Sequence, residues 1–182
     1  MNLFIDTHLN DVVIILFEGN KIIKEKNILN EKQNSKIIMP TIKKILGKKQ
    51  PTSIVVVNGP GSFTGVRLGV TIAKTLAQTL QIPIRTVTSL ECMAFSSDAD
   101  EKIVAFSDKN GYYIGIFNDE YDLIGNYEYL NNSQFAEFSE KHTVIQDIKI
   151  DYEKIMAYAL QRNAINAHEV NPIYIKKIDV EK

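Results

Sequence analysis

Cysteine is nearly absent from this sequence: Cys92 stands alone among 182 residues. An internal disulfide is therefore excluded, and such sparing use of cysteine fits a reducing compartment. Histidine is almost as scarce. His8, His142 and His168 show no zinc-binding spacing such as His-Glu-x-x-His, so neither a structural nor a catalytic zinc site finds its ligands. No apolar run approaches the ~20 residues that cross a bilayer. The start, MNLFIDTHLND, lacks the basic region and apolar core of a secretory signal. A cytoplasmic protein with no membrane association is the expectation. There is also no basic stripe interleaved with aromatics of the kind that tight nucleic-acid binding uses. Ser62 lies outside any Gly-x-Ser-x-Gly elbow. Cys92, on a short apolar segment, reads as core rather than nucleophile.

What is present is a globular composition, 45 % hydrophobic with a formal net charge of −1. The charge is uneven. Residues 1–50 carry nine Lys/Arg against five Asp/Glu, and residues 101–182 carry nine against fourteen. Such asymmetry can orient a nucleic acid toward one half, or simply mark solvated faces. Along the chain, NLFID, VVIILF and KIIKEKNIL have the length and apolar content of strands, with a turn at EGN, residues 18–20. A helix is predicted over Glu31 to Leu46, ended by Gly47, with a kink or restart at Pro40. TSIVVV is a short continuous apolar strand of the type buried on both faces. A glycine-rich loop, a helix to about Gln81, the strand IPIRTV and the short helix SLECMAFSS follow. The pattern then begins again with KIVAFSD, GYYIGIF and YDLIGNYEYL as strands, NSQFAEFSEK as a helix, TVIQD as a strand and DYEKIMAYALQRN as a helix. NPIYIKK is a last extended segment. The order β-β-β-α-β-α thus occurs twice without residue-level repetition. It suggests an actin-like, ribonuclease-H-like α/β architecture with a shortened second half, divided as 1–96 and 97–182, the last segment returning to the first unit.

The stretch VVVNGPGSFTGVRLGV, residues 55–70, raises the functional question. Gly59-x-Gly61-x-x-x-Gly65 is one residue too long for a dinucleotide fingerprint, and no Lys-Ser or Lys-Thr follows Gly65 to make a P-loop. Backbone amides at a helix start attract anions, with Ser62 and Thr64 as candidate caps. A tight strand-to-helix turn needing glycine backbone freedom explains the same residues. Within the helix, Gly61, Gly65, Gly69, Ala73 and Ala77 recur every fourth residue. At ~100° per residue they form a slowly winding stripe of small side chains. Apolar positions cover roughly 200° of this helix, where one-sided packing needs only ~100°. Either the 31–46 helix or a partner protein covers the excess. Asp6, at the end of the first strand, and Asp108, its counterpart in the second half, are the acids that a nucleotide cleft would use. Strand-end turn formation accounts for both equally.

With GPGSFTGVRLG in place, the chain resembles the bacterial TsaB (YeaZ-type) family, the degenerate paralogue of the enzyme that completes threonylcarbamoyladenosine on tRNA. IDT at 5–7, IIMP at 37–40 and the closing PIYIKK are similar to family features in the same order. The resemblance implies an actin-like fold without catalytic activity or cofactor of its own, ATP and metal residing on partner subunits. It implies pairing with the TsaD-type paralogue through the two helices after the third and fourth strands. Ile38, Ile42, Ile45, Gly61, Gly65, Gly69, Ala73 and Ala77 are the candidate contacts. It also implies recruitment of a TsaE-type ATPase and indirect association with tRNA. An uncovered apolar strip on the same helices favours a homodimer when the partner is absent. The catalytic relative carries paired metal-binding histidines on its first long helix, where this chain has Asn34, Ser35 and Lys36. The alternative from another class is an actin-like ATPase or phosphotransferase using Asp6, Thr7 and a residual anion loop of Gly59, Gly61, Ser62, Thr64 and Gly65.

Overall fold

Three uninterrupted apolar runs become the centre of a sheet covered on both faces. In the computed structural model, which describes residues 1–9, 11–29 and 34–175, β1 (Asn2–Asp6), β2 (Val12–Glu18), β3 (Lys21–Ile28), β4 (Ser53–Val57) and β5 (Ile84–Val87) form one mixed sheet. Its order is β3-β2-β1-β4-β5. The hairpin pairs β1–β2 and β2–β3 are antiparallel, and β1–β4 and β4–β5 are parallel. Alternate side chains point to opposite faces of a strand, so each apolar run serves two cores. Leu3, Ile5, Ile14, Leu16, Ile54 and Val56 face one side, and Phe4, Ile15, Phe17, Val55 and Val57 face the other.

The first side is covered by α1 (Asn34–Leu46) and α2 (Phe63–Leu80). α1 presents Ile38, Ile42 and Ile45, and α2 presents Val66, Val70, Ala73 and Ala77. The expected start of the first helix at Glu31 lies outside the described residues. Within them α1 runs as one helix through Pro40, with no restart. Pro40 is on the exposed face, where the backbone carbonyl it leaves unpaired can reach water. Gly47, at φ +59°, donates its N–H to the Lys43 carbonyl at 2.9 Å and ends the helix in the left-handed conformation that glycine favours.

The second side is covered by α3 (Ser89–Phe95) and α5 (Tyr152–Gln161), through Cys92, Phe95, Ile155, Met156 and Ala159. The smaller sheet holds β6 (Lys102–Asp108), β7 (Gly111–Phe117) and β8 (Glu128–Asn131), all antiparallel. α4 (Asn132–Lys141) packs on one of its faces and α3 on the other. The second half departs from the expected repetition at two places. The segment YDLIGNYEYL is strand only at its end, because Tyr121 at φ +65° and Gly125 at φ +77° interrupt the extended backbone. TVIQD contributes a single parallel bridge, Ile145 to Val104, since Gln146 and Asp147 are exposed and leave nothing to bury on a second strand face.

The two halves are pinned together. Arg162 Nη2 donates to Glu91 Oε1 at 2.6 Å, the Thr88 and Tyr127 hydroxyls are 3.0 Å apart, and Lys21 pairs with Glu153 at 2.7 Å. The closing segment runs back to the first sheet. Ile165 bridges Ile84 at the sheet edge, and the Ile173 N–H donates to the Asn58 carbonyl at 2.8 Å. Residues 176 and 177 of the expected extended tail lie outside the described residues. Because Ile42 is 1 % exposed beneath this assembly, Ile42→Ala should lower unfolding free energy by about 2–5 kcal/mol, measured by denaturant titration.

Candidate functional site

The glycine loop is where strand, helix and cleft meet, and its polar groups are largely taken by the chain itself. β4 runs into Asn58 and then Gly59, whose φ of +101° L side chains rarely adopt. The Gly59–Pro60 peptide is cis. Ser89 holds the loop from one side, its N–H donating to the Gly59 carbonyl at 3.0 Å and its hydroxyl to the Pro60 carbonyl at 2.7 Å. The end of β1 holds it from the other. The Ser62 N–H, which an anion cradle would need, donates to the His8 carbonyl at 2.6 Å. The Thr7 hydroxyl, fully buried, donates to the Gly65 carbonyl at 2.7 Å. Ser62 also caps α2 by accepting from the Gly65 N–H at 3.3 Å, while Thr64 is exposed in the first turn.

Close approach explains the small residues of α2. A Cβ at Gly61 would collide with the His8 carbonyl, at Gly65 with the Thr7 carbonyl, and at Gly69 with the Thr7 hydroxyl. Gly65, Gly69, Ala73 and Ala77 are all buried. The stripe therefore packs on the chain's own first strand and sheet, and the picture of it as an outward surface for another helix is corrected. Ile38, Ile42 and Ile45 are likewise buried in the core of the same face. Thr71 and Thr75 are among the residues α2 turns outward, beside the half-buried Leu68 and Ile72, and α1 exposes Met39 and Lys43.

Asp6 is brought to the same place but is directed at His8. Its Oδ1 accepts from the His8 N–H at 3.0 Å and faces His8 Nδ1 at 2.6 Å. Asp108 accepts from the Tyr129 hydroxyl at 2.6 Å and from the Asn110 N–H at 2.8 Å. The two acids border different parts of one cleft between the sheets. A cavity of about 230 Å³ holds Asp6, and an outer groove of about 730 Å³ holds Asp108, with His8, Leu9, Asp11 and Phe106 shared by both. The inner cavity has neither Lys nor Arg among its described lining residues, and Lys109 borders the outer groove. Among the described residues no group of three His, Cys, Asp or Glu side chains is placed to hold a metal.

Sequence reasoning missed Ser89, His8 and Arg67 as organisers of this region. Arg67 stacks over the Phe63 ring at 3.6 Å and donates from Nε to the Tyr174 hydroxyl at 2.6 Å, tying the tail to α2. The signal for Ser89 was in the sequence: Thr88-x-x-Glu91 is a capping-box pattern, and the structure forms both of its hydrogen bonds. That box fixes where α3 starts and hence where Ser89 points.

Two largely buried phenols resist ionisation. Burial pushes the Tyr127 phenol up to about 12, with Glu91 adding to it. Burial, then Asp6, push the Tyr152 phenol higher still. A phenol whose pKa is raised by folding contributes stability fully below its ordinary value, near 10, and loses it as pH rises through the folded value. Phenolate absorbance of the folded protein between pH 10 and 12 should therefore be nearly unchanged in Tyr152→Phe, although eight tyrosines are present; a loss of one part in eight would show that Tyr152 had ionised. Gly65→Leu should fail to fold, as followed by circular dichroism, because the Thr7 carbonyl occupies the space. A folded Gly65→Leu protein would contradict the packing described for α2.

Comparison with known proteins agrees with this picture. The family model for TsaD, tRNA N6-adenosine threonylcarbamoyltransferase, matches residues 22–166. A Bacillus subtilis protein named tRNA threonylcarbamoyladenosine biosynthesis protein TsaB is 42 % identical over 97 residues, covering 50 % of this chain and 42 % of that protein's length. The Haemophilus influenzae protein of the same name is 28 % identical over 209 residues, covering 90 % of this chain and 88 % of its own. Among solved structures, YeaZ from Pseudomonas aeruginosa superposes with a TM-score of 0.77 at 18 % identity, over 95 % of this chain and 98 % of that one. A second structure, described as an uncharacterised protein with similarity to peptidase YeaZ from P. aeruginosa, gives 0.78 at 16 % identity, over 96 % and 99 %. The fold is thus the actin-like α/β class that the strand order suggests, and the chain belongs to the TsaB/YeaZ family.

Proposed function

We propose that this chain is a non-catalytic scaffold subunit in the formation of threonylcarbamoyladenosine on tRNA. It pairs with a TsaD-type catalytic paralogue and helps recruit a TsaE-type ATPase to the pair. The observation that carries this reading is the filled glycine loop. Thr7, His8 and Ser89 take up loop groups and space that an actin-like enzyme would turn toward phosphate, which also speaks against the ATPase or phosphotransferase alternative. ATP and metal then belong to the partners, and contact with tRNA is through them. The docking surface is the outward side of α1 and α2, where Met39, Leu68, Thr71, Ile72 and Thr75 are exposed or half-buried. In the absence of the partner the same side supports a homodimer.

The test is a drop-out reconstitution with tRNA, the TsaD-type enzyme, the ATPase, the carbamoyl-adenylate synthase, threonine, bicarbonate and ATP. Modified adenosine should be lost when this chain is omitted, and the chain alone should turn nothing over. Full modification without it would defeat the scaffold reading. Thr71→Arg, on the exposed side of α2, should leave stability within about 0.5 kcal/mol. It should nevertheless weaken pairing with the TsaD-type partner at least about tenfold, roughly 1.4 kcal/mol, as read by calorimetry.

A further inference from the structure

The helical layer over the first face of the large sheet carries no carboxylate. From residue 32 to residue 90 there is no Asp or Glu, while seven Lys and two Arg fall in that stretch. It includes all of α1 and α2. The two cations of α2 are engaged by the tail, Arg67 donating to the Tyr174 hydroxyl and Lys74 to the His168 carbonyl. Those of α1, Lys36, Lys43 and Lys44, are exposed. At ~100° per residue, Lys36, Met39, Pro40 and Lys43 share one outward arc. The edge strand extends the same charge. Lys24 and Lys26 lie opposite Leu16 and Ile14, whose side chains are on the helix-covered face. Glu25, opposite Ile15, is on the other face, and Glu18 is opposite Lys21 in the hairpin. Lys24 reaches the end of α1, its Nζ donating to the Ile45 carbonyl at 3.2 Å. Among the described residues no salt bridge joins Lys24, Lys26, Lys36, Lys43 or Lys44 to a carboxylate.

We propose that this basic layer selects an acidic protein surface for the outward side of α1 and α2 and disfavours a second copy of this chain there. The inference rests on the docking side assigned under the proposed function and adds its chemistry. A symmetric pair brings the same patch against itself, which sets lysines against lysines with no acid on either helix to meet them. A partner with Asp and Glu around the contact meets the same lysines with opposite charge, which steers encounter and suppresses the wrong pairing. Met39, 44 % exposed, and the half-buried Leu68 and Ile72 give this side an apolar centre. An apolar centre inside a polar rim is the make-up of a protein interface. A phosphate backbone is held by cationic and polar groups instead, so RNA is the poorer fit.

The experiment follows two associations of the full chain as sodium chloride rises from about 0.05 to about 0.5 M. Pairing with the TsaD-type protein is read by surface plasmon resonance, and self-association by sedimentation. The rate of hetero-association should fall at least about tenfold over that range, the mark of electrostatic steering. Self-association should instead be absent or weak at low salt and tighten as salt screens the lysines. Lys36→Gln, Lys43→Gln and Lys44→Gln together, all at exposed positions, should flatten both dependences and strengthen self-association at low salt, with the fold checked by circular dichroism. A hetero-association rate that is flat in salt overturns the inference and leaves the docking side standing. No association with the TsaD-type protein at any salt overturns both. Self-association of the parent that weakens as salt rises also overturns the inference. So does tRNA binding by the chain alone that the triple substitution abolishes, since the lysines would then serve RNA.

Discussion

One buried hydrogen bond, from the Thr7 hydroxyl to the Gly65 carbonyl, sets the arrangement on which the site depends. It draws the first turn of α2 onto the end of β1 so closely that a Cβ at Gly65 or Gly69 has no room. The side chain of Thr7 then lies under the helix, and its neighbour His8 is carried into the glycine loop, where its carbonyl accepts the Ser62 N–H. The same approach turns the Asp6 carboxylate toward His8. A glycine-rich strand-to-helix turn usually leaves space for a ligand's phosphate; here Thr7 and His8, the two residues that follow β1, fill it.

The remaining architecture braces that junction from outside. Ser89 reaches the loop because a capping box fixes the start of α3, and α3 is in turn wedged between the two sheets by Leu90, Met93, Cys92 and Phe95. Arg162 and Tyr127 fasten the second half to Glu91 and Thr88 of the same element. The tail runs from the edge of β5 along α2 to Tyr174, where Arg67 lies over the Phe63 ring and against that of Tyr174. One flank of α2 is covered by the tail and another by the sheet. This confines any partner to the remaining side, beside α1.

Much of this was legible in the residues and some was not. Unbroken apolar strands such as SIVVV announced burial on both faces, and the three opening runs and both long helices of the first half stand where periodicity put them. The second half was less legible because its strand signals were weakest. The positive φ values of Tyr121 and Gly125 and the polar TVIQD broke patterns that looked extended. The glycine stripe was seen, but its direction was not. A row of small side chains says that something approaches closely, and only the position of Thr7 in space says that the approaching group belongs to the same chain. Asp6 was found as a strand-end acid and its bond to His8 is local, whereas its place on a cavity depends on residues far along the chain, Ser89 to Phe106 and Gln146 to Tyr152.

The covering of the first sheet has a consequence for how this chain is made. Phe4, Ile15, Phe17, Val55 and Val57 lie in the first third of the sequence, yet Ile155, Met156 and Ala159 of α5 complete their shelter. On a ribosome, which emits the chain from its amino end, one face of the central sheet stays open until α5, ending at Gln161, has emerged. The halves are therefore partners in a single folding event, and a fragment ending at residue 96 would carry an apolar face with half of its cover missing.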